Sequence, residues 1–175
     1  TAVEAPYIMK HGSYYYLFVS FDLCCKGTSS TYRVMVGRSS SVTGPYKDKN
    51  GTAMTSGGGS EILATHGTII GPGGQGVLSD SDNDLLVYHY YDGNASTFDP
   101  SEARRVYFRA NSNHGAGTAW RTPVILSPTS GRADYLWVSA SSTYVYVAWT
   151  EAGSGAGRVA VSRDRGVTWT KRTVD

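Results

Sequence analysis

The chain has 175 residues, enough for one sizeable core and short for two, so a single domain is expected. Charged residues are only 17% and the net charge of +2 comes from scattered Lys and Arg, which excludes a surface built for nucleic acid or an anionic membrane. No apolar run approaches the roughly 18 to 20 residues of a membrane helix, and no charged-then-apolar leader opens the sequence.

Aromatic and β-branched residues fill short runs separated by Gly, Ser, Asn and Asp, a pattern of all-β proteins. The first group of strands is predicted at 5–10, 14–21, 32–39 and 44–47. His11-Gly12-Ser13 turns the first pair. Gly44-Pro45 suits an outer edge, where a missing donor is tolerated. The opening TAVEAPY falls inside this unit, so earlier units and any leader are expected to lie outside the sequence.

The two cysteines, Cys24 and Cys25, are neighbours. They can close only a strained ring with each other and cannot staple distant segments, which leaves a vicinal disulfide or two thiols.

After Gly57-Gly58-Gly59 a second group is predicted at 68–70 with 76–78, 85–91, 104–110 and 120–126. A third follows at 133–139, 144–150, 158–162 and 168–172, with Asp134 opening its inner strand. Three four-stranded units repeating every roughly 40 to 60 residues read as a partial β-propeller, with blades at 1–56, 57–128 and 129–175. Propellers typically need about four to eight blades to close. The open faces are expected to expose Tyr15, Leu17, Val145 and Trp149, which at about 25 cal/mol per Å² leaves several kcal/mol of burial unrealised. A homo-oligomer is therefore expected, with a two-fold dimer favoured and a four-bladed monomer as the alternative.

Five stretches of the first half belong together: Glu4-Ala5-Pro6-Tyr7-Ile8, YYYLFVSFD at 14–22 ahead of Cys24-Cys25, Gly37-Arg38-Ser39 with Thr43-Gly44-Pro45-Tyr46, Ile70-Gly71-Pro72-Gly73-Gly74, and LVYHYYD at 86–92. With them residues 3–94 resemble the third and fourth blades of arabinanases of glycoside hydrolase family 43, a five-bladed propeller family. The resemblance implies inverting hydrolysis of α-1,5-linked arabinan by an acid carboxyl and a base carboxylate about 6.5 to 9.5 Å apart. Glu4 matches the general acid. His89 matches an axial histidine that helps hold a central metal ion, usually through water.

The resemblance puts the base and the aspartate that tunes the acid in blades ahead of residue 1. Each acid or base is worth about 10² to 10⁴ in rate, so Glu4 is expected to be a relic without native turnover. No cofactor is then required, while the resemblance allows calcium or another metal on the axis. Read without the family, Glu4 is a solvated edge residue and His89 a hydrogen-bonded core histidine. The glycines at 71–76 lack the following Lys-Ser or Lys-Thr of a phosphate loop and read as backbone crowding near a funnel.

From about Arg104 the pattern changes. Ser162-Arg163-Asp164-Arg165-Gly166-Val167-Thr168-Trp169 resembles the Asp-box of BNR, sialidase-like blades, and NSNHGAGTAW at 111–120 resembles a degenerate copy. The motif is structural: Ser162 and Asp164 are expected to bond turn backbone, Gly166 to take the left-handed position, and Trp169 to pack beneath. Thr168 completes it. No signature of sialidase chemistry accompanies the scattered arginines.

The expectation is a chimera joined near 92–103, natural or designed, that self-associates and lacks native catalysis. One alternative is an inverting arabinan hydrolase. Another is a carbohydrate-binding module whose Tyr and Trp rings stack an arabino-oligosaccharide. The parent fragments read as secreted.

Overall fold

The computed structural model describes residues 2–79, 84–94, 104–111, 121–127, 132–141 and 143–174. Among them the chain is all-β, as the strand pattern requires, with three antiparallel four-stranded sheets in sequence order. The first holds β1 (Val3–His11), β2 (Tyr14–Phe21), β3 (Arg33–Ser39) and β4 (Ser60–Leu63). The second holds β5 (Ile69–Ser79), β6 (Asp84–Asp92), β7 (Arg104–Asn111) and β8 (Val124–Ile125), and the third β9 (Arg132–Ala140), β10 (Val145–Ala152), β11 (Gly157–Ser162) and β12 (Thr170–Val174).

Strict alternation along β6 explains the stacking. Leu85 and Val87 enter the core shared with the third sheet, beside Phe108, Val145, Val147 and Trp149. Leu86, Tyr88 and Tyr90 enter the core shared with the first sheet, beside Phe18, Val34 and Leu63. The middle sheet is thus buried on both faces, as successive strand side chains pointing oppositely allow.

The outer strand of the first sheet differs from expectation. Residues 44–47 pair with the β3 backbone at one bridge, where Arg38 and Lys47 exchange backbone bonds of 2.7 and 2.9 Å. Pro45 has no N–H to extend a ladder. The chain instead turns around Asp48, whose carboxylate accepts from the N–H groups of Asn50, Thr52 and Gly59, and returns as β4 against Val34, Met35 and Val36. The first sheet therefore extends past residue 56.

The exposed residues differ too. Val145 and Trp149 are buried, 1% and 4% exposed, and Tyr15 and Leu17 are half-buried. On β9, Leu136, Val138 and Ala140 pack onto the core while Tyr135 and Trp137, on the opposite face, are 79% and 74% exposed. On β1 the phase is reversed: Tyr7 and Met9 face the core and Ile8 is exposed. Each inner strand thus turns one face to the neighbouring sheet.

The inner strands also share a backbone device. Between Glu4 and Tyr7, Ala5 and Pro6 oppose the single residue Val19. Gly71 and Pro72 likewise oppose Tyr90, and Tyr135 and Leu136 oppose Trp149. In each bulge the first extra residue is left-handed, with φ of 49° at Ala5, 55° at Gly71 and 50° at Tyr135. The opposed residues Val19, Tyr90 and Trp149 are all buried. Asp134 consequently repeats, two sheets on, the backbone position of Glu4.

Candidate functional site

Glu4 stands directly before the β1 bulge. Its Oε2 accepts a 2.7 Å hydrogen bond from the hydroxyl of Tyr32, a residue only 3% exposed. The Tyr32 ring lies nearly parallel to the His89 imidazole, with centroids 6.2 Å apart and planes at 19°. Glu4 and His89, from different sheets, are therefore brought to opposite parts of one tyrosine.

A buried clamp holds the bulge beside Glu4. The Ser20 hydroxyl donates to Oε1 of Gln75 at 2.7 Å and accepts from the Gly74 N–H at 3.0 Å. Gln75 Nε2 donates to the Ala5 carbonyl at 2.7 Å. The left-handed residue next to the carboxyl is thereby tied to the second sheet. A non-glycine residue at positive φ persists only when its surroundings fix it.

The glycines of β5 make this approach physically possible. A Cβ on Gly73 would lie 2.2 Å from Cδ1 of Tyr32, and one on Gly74 would lie 2.3 Å from Cε1 of His89. Gly74 also has φ of 59°. The backbone crowding read from the glycine spacing is found at these two positions. Tyr32, Ser20 and Gln75 were not legible as site residues, since each sits in a run that fits an ordinary strand or loop.

Burial raises the hydroxyl pKa values of Tyr88 and Tyr90 far above the ordinary tyrosine value. Both stay neutral and belong to the core. Among the described residues, no three His, Cys, Asp or Glu side chains gather as a metal-holding group. Among the described residues His89 brings one imidazole, set against Gly74 and Tyr32, and no direct ligand set for the axial metal implied by the resemblance.

Cys24 and Cys25 are bonded to each other in the loop after β2, with Cys25 at φ of 65°. The five turn residues of the third sheet are brought together between β11 and β12. The Ser162 hydroxyl accepts from the N–H groups of Asp164 at 3.3 Å and Gly166 at 2.7 Å, and donates to Asp164 Oδ1 at 2.7 Å. Asp164 Oδ1 accepts from the Thr168 N–H at 2.8 Å, and Trp169 Nε1 donates to the Gly166 carbonyl at 3.1 Å. Gly166 has φ of 84°, and Trp169 packs edge-on against Phe108. The Thr168 hydroxyl, followed by its N–H and Ser162, depresses the Asp164 pKa to about 2. This carboxylate is committed to its hairpin. All of the resembling segment at 111–120 but Asn111, and most of the expected junction, lie outside the described residues, which include only 92–94 of the latter.

The sequence profile described as Glycosyl hydrolases family 43 matches residues 1–112. Arabinan endo-1,5-alpha-L-arabinosidase A of Aspergillus aculeatus is 50% identical over 96 residues, covering 51% of this chain and 30% of that protein. The extracellular endo-alpha-(1->5)-L-arabinanase 1 of Bacillus subtilis is 47% identical over 93 residues, covering 53% of this chain and 28% of that protein. The structure of Cellvibrio cellulosa alpha-L-arabinanase complexed with arabinohexaose superposes with a TM-score of 0.58 at 36% identity, covering 70% of this chain and 36% of that one. The chain spans under a third of the length of these two curated relatives.

These findings overturn the expected non-catalytic chimera. The family match runs to residue 112, through the expected junction at 92–103. The Cellvibrio match covers more of the chain than the stretch ahead of that junction contains. Its relatives are named for arabinan cleavage, and local turn chemistry at 162–169 records a hairpin geometry that any lineage can use. With one continuous match carrying both the Glu4 bulge and the His89 strand, the chain belongs to glycosyl hydrolases family 43.

Proposed function

We propose that this chain acts in the hydrolysis of α-1,5-linked arabinan by an inverting mechanism, with Glu4 as general acid. The observation that carries the reading is the Glu4–Tyr32 contact, which holds a carboxyl at the bulged start of an inner strand in a member of a hydrolase family. Glu4 donates its proton to the glycosidic oxygen as the bond to the anomeric carbon breaks. Water attacks that carbon from the opposite face and loses its proton to a carboxylate base.

His89 would support an axial cation only through water, because it brings one imidazole. The turn at Ser162, Asp164, Gly166, Thr168 and Trp169 serves as a structural pin, and its likeness to an Asp-box is one of geometry. The exposed Tyr135 and Trp137 favour pairing with a second copy of the chain. A polysaccharide substrate and the extracellular Bacillus relative support a secreted protein. The test is incubation with linear 1,5-arabinan and chromatography of the products. Release of arabino-oligosaccharides supports the reading, and an intact polymer that is nevertheless bound favours a carbohydrate-binding role.

A further inference from the structure

We infer that Tyr32 is a positioning residue for the acid, fixing Oε2 of Glu4 so that Oε1 alone carries the proton to the substrate. The inference rests on the reading of Glu4 as acid. Glu4 is exposed and its side chain has three rotatable bonds, so nothing in its own strand would orient the carboxyl. Tyr32, the buried residue immediately before β3, supplies that orientation. Its ring lies against the backbone of Gly73, where a side chain would clash, and nearly parallel to the imidazole of His89, with centroids 6.2 Å apart. Its hydroxyl reaches Oε2 at 2.7 Å.

The contact also changes strength as the reaction proceeds. While Glu4 is protonated on Oε1, the tyrosine donates to a neutral carbonyl-type oxygen. As the proton moves to the glycosidic oxygen, negative charge develops on the carboxyl and the same bond becomes charge-assisted. A donor that strengthens where charge develops favours the transition state over the ground state. The benefit should be greatest for a poor leaving group, which needs the full proton.

The test is Tyr32→Phe in the full chain, assayed on linear arabinan and on an arabinoside with an activated aryl leaving group. On arabinan, kcat should fall roughly 10- to 100-fold with KM within about twofold, and the loss should shrink several-fold on the aryl substrate. Ser20→Ala, which loosens the same bulge without touching Glu4, should lower both activities equally. Crystal structures of wild type and Tyr32→Phe provide a readout independent of turnover: the Glu4 carboxyl should leave its position. Equal losses on the two substrates, an unchanged kcat, or an unmoved carboxyl would overturn the inference. A wild-type chain that cleaves neither substrate would defeat the functional reading instead, and the crystallographic comparison would still decide the role of Tyr32.

Discussion

Ser20 and Gln75 join the first two sheets through a 2.7 Å hydrogen bond between side chains that are 0% and 5% exposed. The pair does more than connect sheets, because Gln75 passes the constraint to the Ala5 carbonyl beside Glu4. Ser20→Ala leaves Gln75 Oε1 and the Gly74 N–H without this partner. A buried group so deprived costs about 1 to 3 kcal/mol. The expected result is a fall in Tm of roughly 2 to 10 °C, read by calorimetry. A Tm unchanged within error would mean the clamp carries no stability.

Gly74→Ala should be worse for the site than for the sheet. The added methyl would meet the His89 ring at 2.3 Å and sit at φ of 59°, so strain and displacement act together. A loss of about 1 to 3 kcal/mol is expected in urea unfolding. The His89 ring resonances should shift in NMR spectra of the folded variant. Unperturbed His89 resonances would show that the strand yields elsewhere.

Asp164 predicts a pH dependence with a definite sign. Its folded pKa, about 2, lies below the ordinary value of 3.8, so its contribution is complete above the unfolded value and is lost as pH falls toward about 2. Asp164→Asn should therefore unfold at lower urea than wild type at pH 7, and the gap should close between about pH 4 and 2. A gap that stays constant through that window would remove the charged hydrogen bonds as its cause.

Trp137 and Tyr135 predict self-association. Sedimentation of wild type should give a dimer, and Tyr135→Ser with Trp137→Ser should give a monomer of unchanged secondary structure. A monomeric wild type at micromolar concentration would leave those rings with another role.

Much of this fold could be read from alternation and turn residues. The run LLVYHYY alternates between two cores, and its period needs no knowledge of partners. Residues 44–47 were misread because apolar and turn signals looked like an edge strand, whereas the Asp48 turn diverts the chain and β4 takes that edge. The bulges were only half legible. Gly71 announces a left-handed residue, but Ala5 and Tyr135 adopt the same conformation with side chains that give no local warning. Tyr32 was invisible for a related reason: its partners Glu4 and His89 are remote in sequence, and only the stacked sheets bring them to one ring. The turn at 162–169 was legible as chemistry, because its residue types carry its hydrogen bonds.

The most direct test compares the wild-type chain with Glu4→Gln on linear 1,5-arabinan, following reducing ends and the anomeric configuration of the first product. The wild type should cleave with inversion, and the amide variant should lose about 10² to 10⁴ in kcat with substrate binding retained. Equal turnover by the two proteins, or products of retained configuration, would contradict inverting hydrolysis with Glu4 as acid.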